Sequence, residues 1–163
     1  MPGSVPSAPR CAAIVGPYLS GKTTLMEALL HATGAIHRRG TVKDGSTVGD
    51  AREEARAHSM SVEMSVAHCE YLCERWSFLD CPGSVEFSSD SRAALAVADI
   101  AVVVSDVNMG GMDGHELLRE IKRQYAHIPV ILNTAYGSID RSVEAMRDGA
   151  VDYLVKPFEP ELL

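Results

Sequence analysis

Apolar and polar positions alternate in short blocks along this chain. Residues 10–15 (RCAAIV) form a brief apolar run closed by Gly16 and Pro17, the mark of a buried strand. From 21 to 33 the apolar positions take helical spacing, and Gly34 ends them. Residues 38–57 are polar, charged and dotted with glycine, which predicts a loop or mobile segment. Two strand-like runs follow, 61–72 and 74–79, in the arrangement of a hairpin. Asp80-Cys81-Pro82-Gly83 interrupts the pattern, and a helix is expected from about 84 to 97. In the second half, 100–104 (IAVVV) is the clearest buried strand. It is followed by an amphipathic helix over 115–125, a strand over 128–132, a helix over 140–147 closed by Gly149, and a last strand over 151–155.

Strict strand–helix alternation from Ile100 onward requires parallel strands joined by crossover helices. The expected fold is therefore α/β: a three-layer sandwich around a mostly parallel sheet of about six strands. Residues 1–9, rich in Pro, Ser and Gly, read as a disordered tail, and 10–163 as a single α/β domain.

Length and charge narrow the function classes. A chain of 163 residues is long enough for one real core. A formal charge of −7 opposes non-specific attraction to nucleic acid or an anionic membrane, so neither is expected as a partner. No apolar run approaches the roughly 20 residues that span a bilayer, and the first nine residues lack the apolar centre of a signal peptide. Cys11, Cys69, Cys73 and Cys81 sit in strand-like stretches and read as reduced thiols of a cytoplasmic protein. His68, Cys69 and Cys73 have no second cluster of partners, and no metal is assigned to them.

One motif carries chemistry. GPYLSGKT, residues 16–23, fits G-x-x-x-x-G-K-[ST], a roughly one-in-two-hundred accident in a chain this long. A strand precedes it and a helix follows, as a phosphate-binding loop requires. Gly16 and Gly21 permit backbone angles that turn N–H groups inward, across Pro17, Tyr18, Leu19 and Ser20. Lys22, expected to face solvent, offers a point charge to the outer phosphates. The Thr23 hydroxyl can ligate Mg²⁺, and Thr24 continues the helix start, whose positive end favours anions. The competing reading is a glycine-rich turn with a solvated lysine.

Residues 10–104, as a block, resemble the guanine-nucleotide domain of bacterial elongation factor G. The segment 45–65 is similar to that family's first switch, with Ser59 where a hydroxyl reaches the metal. Asp80-Cys81-Pro82-Gly83 is similar to its D-x-x-G element, which implies Asp80 near Mg²⁺ and Gly83 near the terminal phosphate. Two positions depart from the family. Ser84 stands where a histidine orients the attacking water, and Asn133-Thr134-Ala135-Tyr136 keeps only the asparagine of the guanine-reading N-K-x-D.

Residues 99–163 resemble something else, the C-terminal half of a response-regulator receiver domain of the nitrogen-regulator type. The matching stretches are 105–122, 128–150 and 151–158. The resemblance implies Asp106 as phosphoacceptor, Thr134 as the hydroxyl on the phosphoryl group, Tyr153 as the rotating aromatic, and Lys156 as the lysine paired with the acyl phosphate. It also implies a cis Lys156–Pro157 bond. Gly110 replaces the usual proline of its turn, and the acidic pair that holds a receiver's Mg²⁺ is absent after Val15. The family's last helix is not expected within residues 159–163.

The leading reading is an engineered chimera of a GTPase-like half (10–104) and a receiver-like half (105–163), with natural recombination as the alternative. The GTPase-type strand order would be 2-3-1-4-5-6, strand 2 antiparallel, with a sheet edge left open for a weak dimer of an otherwise monomeric chain. The expected function is binding of GTP, GDP, another nucleoside phosphate, or a phosphate or sulfate ion, with Mg²⁺, weak base selectivity and little hydrolysis. Three alternatives stand beside it: a slow P-loop NTPase, a receiver phosphorylated at Asp106, and a purely structural fold-recombination protein.

Overall fold

A computed structural model describes residues 10–42, 44–49, 64–83, 88–108 and 113–156. The expected tail, Ser59, Ser84, Gly110 and Pro157 lie outside the described residues. Ten elements follow the expected order: β1 (Arg10–Val15), α1 (Lys22–Ala32), β2 (Ser65–Tyr71), β3 (Glu74–Asp80), α2 (Ser88–Val97), β4 (Ile100–Asp106), α3 (Gly114–Gln124), β5 (Val130–Thr134), α4 (Ile139–Arg147) and β6 (Asp152–Val155).

One six-stranded sheet runs β2-β3-β1-β4-β5-β6. Only β2 is antiparallel, pairing Ser65 with Asp80 and Tyr71 with Glu74 across a tight hairpin. The expected order and strand directions are therefore observed. The turn of that hairpin, Leu72-Cys73, has both residues at positive φ, 52° and 63°. This is the twist that two-residue hairpins need, reached here without glycine. It also corrects the placement of Cys73, which is exposed in the turn rather than inside a strand, while Cys69 is buried. Strand β5 starts two residues later than its apolar run suggested. Pro129 has no N–H to give the ladder and contributes only its carbonyl, to the Val103 N–H.

Alternate strand residues feed two cores. Ile14, Val104 and Leu154 pack with Leu25, Met26, Ala28 and Leu30 of α1 on one face. On the other face Ala13 and Leu79 meet Ala94 of α2, and Val130 and Leu132 meet Leu118 of α3 and Ala145 of α4. Among the described residues a single helix thus covers one side and three cover the other. Right-handed crossovers produce this, because the chain moves toward β3 after β1 but toward β6 after β3. The direction reverses at β1, and crevices at such a reversal, beyond the carboxyl ends of the strands, are where α/β sheets take ligands. The loop 16–21 leaves β1 at that point.

Candidate functional site

The loop is built into the sheet rather than laid on it. Gly16 has φ +153°, and a Cβ there would stand 1.9 Å from the Val104 carbonyl oxygen of β4. No other residue fits that approach. Ser20 is fully buried, whereas Tyr18 and Leu19 are exposed at the tip, and Leu19 takes a positive φ of 59°. Gly21 caps α1 in the left-handed conformation. Asn133, at the end of β5, donates from Nδ2 to the Ser20 carbonyl and so fixes the loop from the opposite wall.

Lys22 differs from expectation. Its side chain is turned inward and only 7% exposed. Its Nζ donates to the carbonyls of Gly16 at 3.1 Å and Pro17 at 2.8 Å, and to Ser20 Oγ at 3.4 Å. The ammonium is curled inside the loop because those carbonyls offer it acceptors that bulk water would otherwise supply. Burial lowers its pKa, with Asp80 and Cys81 opposing the shift.

Asp80 ends β3 beside it. Thr23 Oγ1 donates to Asp80 Oδ2 at 2.6 Å. The other oxygen, Oδ1, is buried without a hydrogen-bond partner. Burial is the first cause of a pKa raised from 3.8 to about 6. Thr23 and Lys22 oppose it, and the nearby Glu27 carboxylate adds to it. Gly83 closes the site from β3's side: a Cβ would meet Lys22 Nζ at 2.6 Å and the Tyr18 N at 2.7 Å. Thr23, Asp80 and Gly83 therefore converge on Lys22, as the motifs imply, and Thr24 is exposed beyond them. A hydroxyl oxygen beside an orphaned buried carboxylate oxygen is a donor set suited to Mg²⁺, which takes oxygen ligands and usually keeps several waters.

Sequence reasoning passed over Glu27. It is 1% exposed, and its carboxylate accepts from the Gly40 N–H at 2.8 Å and the Val48 N–H at 2.6 Å. These bonds tie Gly40 and Val48 to α1. The signal was available, since Glu27 lies between Met26 and Ala28 on a helix whose other buried positions beyond Lys22 are apolar.

The receiver-like residues form a second group across β1 from Asp80. Lys156 Nζ is 2.7 Å from Asp106 Oδ2, with side chains 29% and 22% exposed, and 3.4 Å from the Leu19 carbonyl. Asp106 Oδ1 accepts from the Asn108 N–H at 3.0 Å. Thr134 is fully buried, and its Oγ1 accepts from the Tyr136 N–H at 3.1 Å. Tyr153 is partly buried and lies against the His115 ring, centroids 6.4 Å apart. Burial raises its pKa.

Comparison with known proteins agrees with both resemblances. The family model of the elongation factor Tu GTP binding domain matches residues 8–148. The elongation factor G-like protein of Synechocystis sp. is 51% identical over 100 residues, 61% of this chain and 15% of that protein. The response regulator protein FleR of Pseudomonas aeruginosa is 55% identical over 80 residues, 49% of this chain and 17% of that protein. A crystal structure of a Thermus thermophilus protein superposes with a TM-score of 0.69 at 36% identity, covering 85% of this chain and 21% of the other. The chain thus spans about a fifth or less of each of these relatives. Its two halves carry features of two families, joined in one sheet. Among the described residues, no helix is long and apolar enough to cross a membrane.

Proposed function

The chain belongs to the elongation factor Tu GTP binding domain family, and from that premise we propose that its loop at 16–23 binds the phosphates of a Mg²⁺-bound nucleoside phosphate. The observation that carries this reading is the incomplete satisfaction of the polar atoms there. Among the described residues Lys22 Nζ bonds carbonyls and a hydroxyl, and Asp80 keeps a buried oxygen without a partner. Charged and polar groups buried in this way are costly unless something completes them, and an anion with its counter-ion completes both. Uncurling Lys22 exchanges its carbonyl contacts for charge-assisted ones to phosphate oxygen. Thr23 and Asp80 would hold Mg²⁺, Asp80 through water, and Gly83 leaves room for the terminal phosphate. Ser59 remains the proposed hydroxyl of the first switch. Bound Mg²⁺ supplies neutralisation of the phosphate oxygens.

Base selectivity is weak in this reading. Asn133 is engaged with the Ser20 carbonyl, and the lysine and aspartate that would read guanine do not follow it. Hydrolysis is slight, with Ser84 in the place of the water-orienting histidine. Calorimetry with GDP, GTP, ADP and pyrophosphate, with and without Mg²⁺, tests this. All should bind one per chain and more tightly with Mg²⁺. Absence of binding by every one of them would remove the proposal.

We further infer an engineered junction within β4, where the two resemblances meet. A splice there keeps the β1 and β5 pairings that either parent would supply. Replacing 105–163 by the continuation of an elongation factor G-like protein should then restore guanine selectivity. Unchanged selectivity in that chain would count against the graft as the cause of its loss.

A further inference from the structure

Three metal-ligating side chains meet between α3 and α4, on the opposite face of the sheet from α1. The ligand atoms of His115, Glu144 and Asp148 lie within 4.8 Å of one another. His115 is the second residue of α3 and only 4% exposed, yet neither of its ring nitrogens has a hydrogen-bond partner. A neutral imidazole carries one N–H and one lone pair, and burying both unmet is rare in a folded protein. The carboxylates stand four residues apart at the end of α4, Asp148 being its C-cap, where the helix dipole favours a cation. A cation is already there. Arg119, one turn beyond His115, places Nη1 3.1 Å from Asp148 Oδ2 and 3.7 Å from Glu144 Oε1.

We propose that His115, Glu144 and Asp148 form a binding site for a divalent transition-metal ion of the zinc class, independent of the phosphate loop, with Arg119 as the cation that the metal displaces. One imidazole nitrogen and two carboxylates suit Zn²⁺ or Co²⁺ better than Ca²⁺ or Mg²⁺, which prefer oxygen alone. Three protein ligands leave a fourth position for water. Bonds of about 2.0–2.1 Å put tetrahedral ligand atoms about 3.3 Å apart, so the three must draw together by up to about 1.5 Å. The exposed Glu144 can make that movement by rotamer change once Arg119 withdraws. The buried His115 supplies the fixed point.

Titration of the untagged, fully reduced chain with Co²⁺, followed by visible absorption, tests the site. The wild type should take up one Co²⁺ with nitrogen–oxygen d–d bands and no thiolate charge-transfer band, and Zn²⁺ should displace it. His115→Gln should weaken binding by about 100-fold or more, beyond the range for outer-shell partners. Asp148→Asn, at a partly exposed position, serves the same purpose if His115→Gln lowers the metal-free melting temperature. Arg119→Gln should tighten binding about tenfold by removing the competing charge. Thiolate bands, unchanged affinity in Asp148→Asn, or weaker binding in Arg119→Gln would each overturn the proposal.

Discussion

The two flanks of the sheet each bring a lysine near an aspartate, and they treat the two groups in opposite ways. On the loop side, Lys22 and Asp80 are 7% and 1% exposed, and one oxygen of Asp80 has no partner. On the receiver-like side, Lys156 and Asp106 are in direct contact and partly open to water, and both oxygens of Asp106 are engaged. A satisfied, half-exposed ion pair is stable as it stands and contributes little. An unsatisfied buried carboxylate is a cost carried by the fold, and such costs concentrate where ligands bind. This contrast supports the proposal of a phosphate site on the loop side, whereas both carboxylate oxygens of the receiver-like pair are already engaged.

The largest effect should come from Lys22. Lys22→Met keeps most of the buried stem and removes the charge. It should lower affinity for Mg²⁺–GDP or pyrophosphate by about 100-fold, or roughly 3 kcal/mol. Calorimetry checks this, and equal affinity in the variant would break the comparison at its strongest point.

Asp80 comes next, through stability rather than binding. Its folded-state pKa, about 6, lies above its ordinary value of 3.8. The folded protein therefore holds this proton more tightly than the unfolded chain. The resulting stability is complete below about pH 3.8 and is lost as pH rises through about 6. The shift corresponds to about 3 kcal/mol at most. In EDTA, Asp80→Asn should raise stability by about 2–3 kcal/mol at pH 8 and by almost nothing at pH 4. Denaturant midpoints at the two values measure it. A variant destabilised equally at both would show that the carboxylate is not strained. The same substitution should abolish the gain in nucleotide affinity from Mg²⁺.

Much of this was legible in the sequence, and the exceptions share a cause. The elements and the glycines of the loop followed from local patterns, because periodicity and motif spacing are properties of neighbouring residues, whereas the strand order came from the resemblance to the GTPase family. The direction of Lys22 was not, since it depends on the Gly16 and Pro17 carbonyls finding no better donor. Glu27 was missed for a similar reason: its partners, Gly40 and Val48, lie 13 and 21 residues away in a segment without periodicity. The start of β5 was misjudged because apolar character continued through Ile128 and Pro129, while pairing began only where N–H donors resumed.

A smaller effect concerns the base. GDP and ADP should bind within about tenfold of each other, a difference of roughly 1.4 kcal/mol. Competition titrations decide it, and a hundredfold preference for GDP would reveal a base-reading contact elsewhere. The smallest effect belongs to the other flank. Asp106→Asn should change nucleotide affinity by less than about threefold, under 1 kcal/mol. Incubation with acetyl phosphate and Mg²⁺ should leave Asp106 unmodified in intact-mass spectra, because no acidic pair follows Val15 to hold the ion that phosphoryl transfer needs. A stoichiometric aspartyl phosphate would make the receiver-like side the active one.

Backbone amide NMR of the whole chain, recorded while Mg²⁺ and pyrophosphate are added, separates the two flanks in one titration. The largest shift changes should fall at Gly16 to Thr23 and at Gly83, with small changes at Asn108 and Tyr136. The largest changes at Asp106 to Asn108 and Thr134 to Tyr136, with residues 16–23 unmoved, would contradict that expectation.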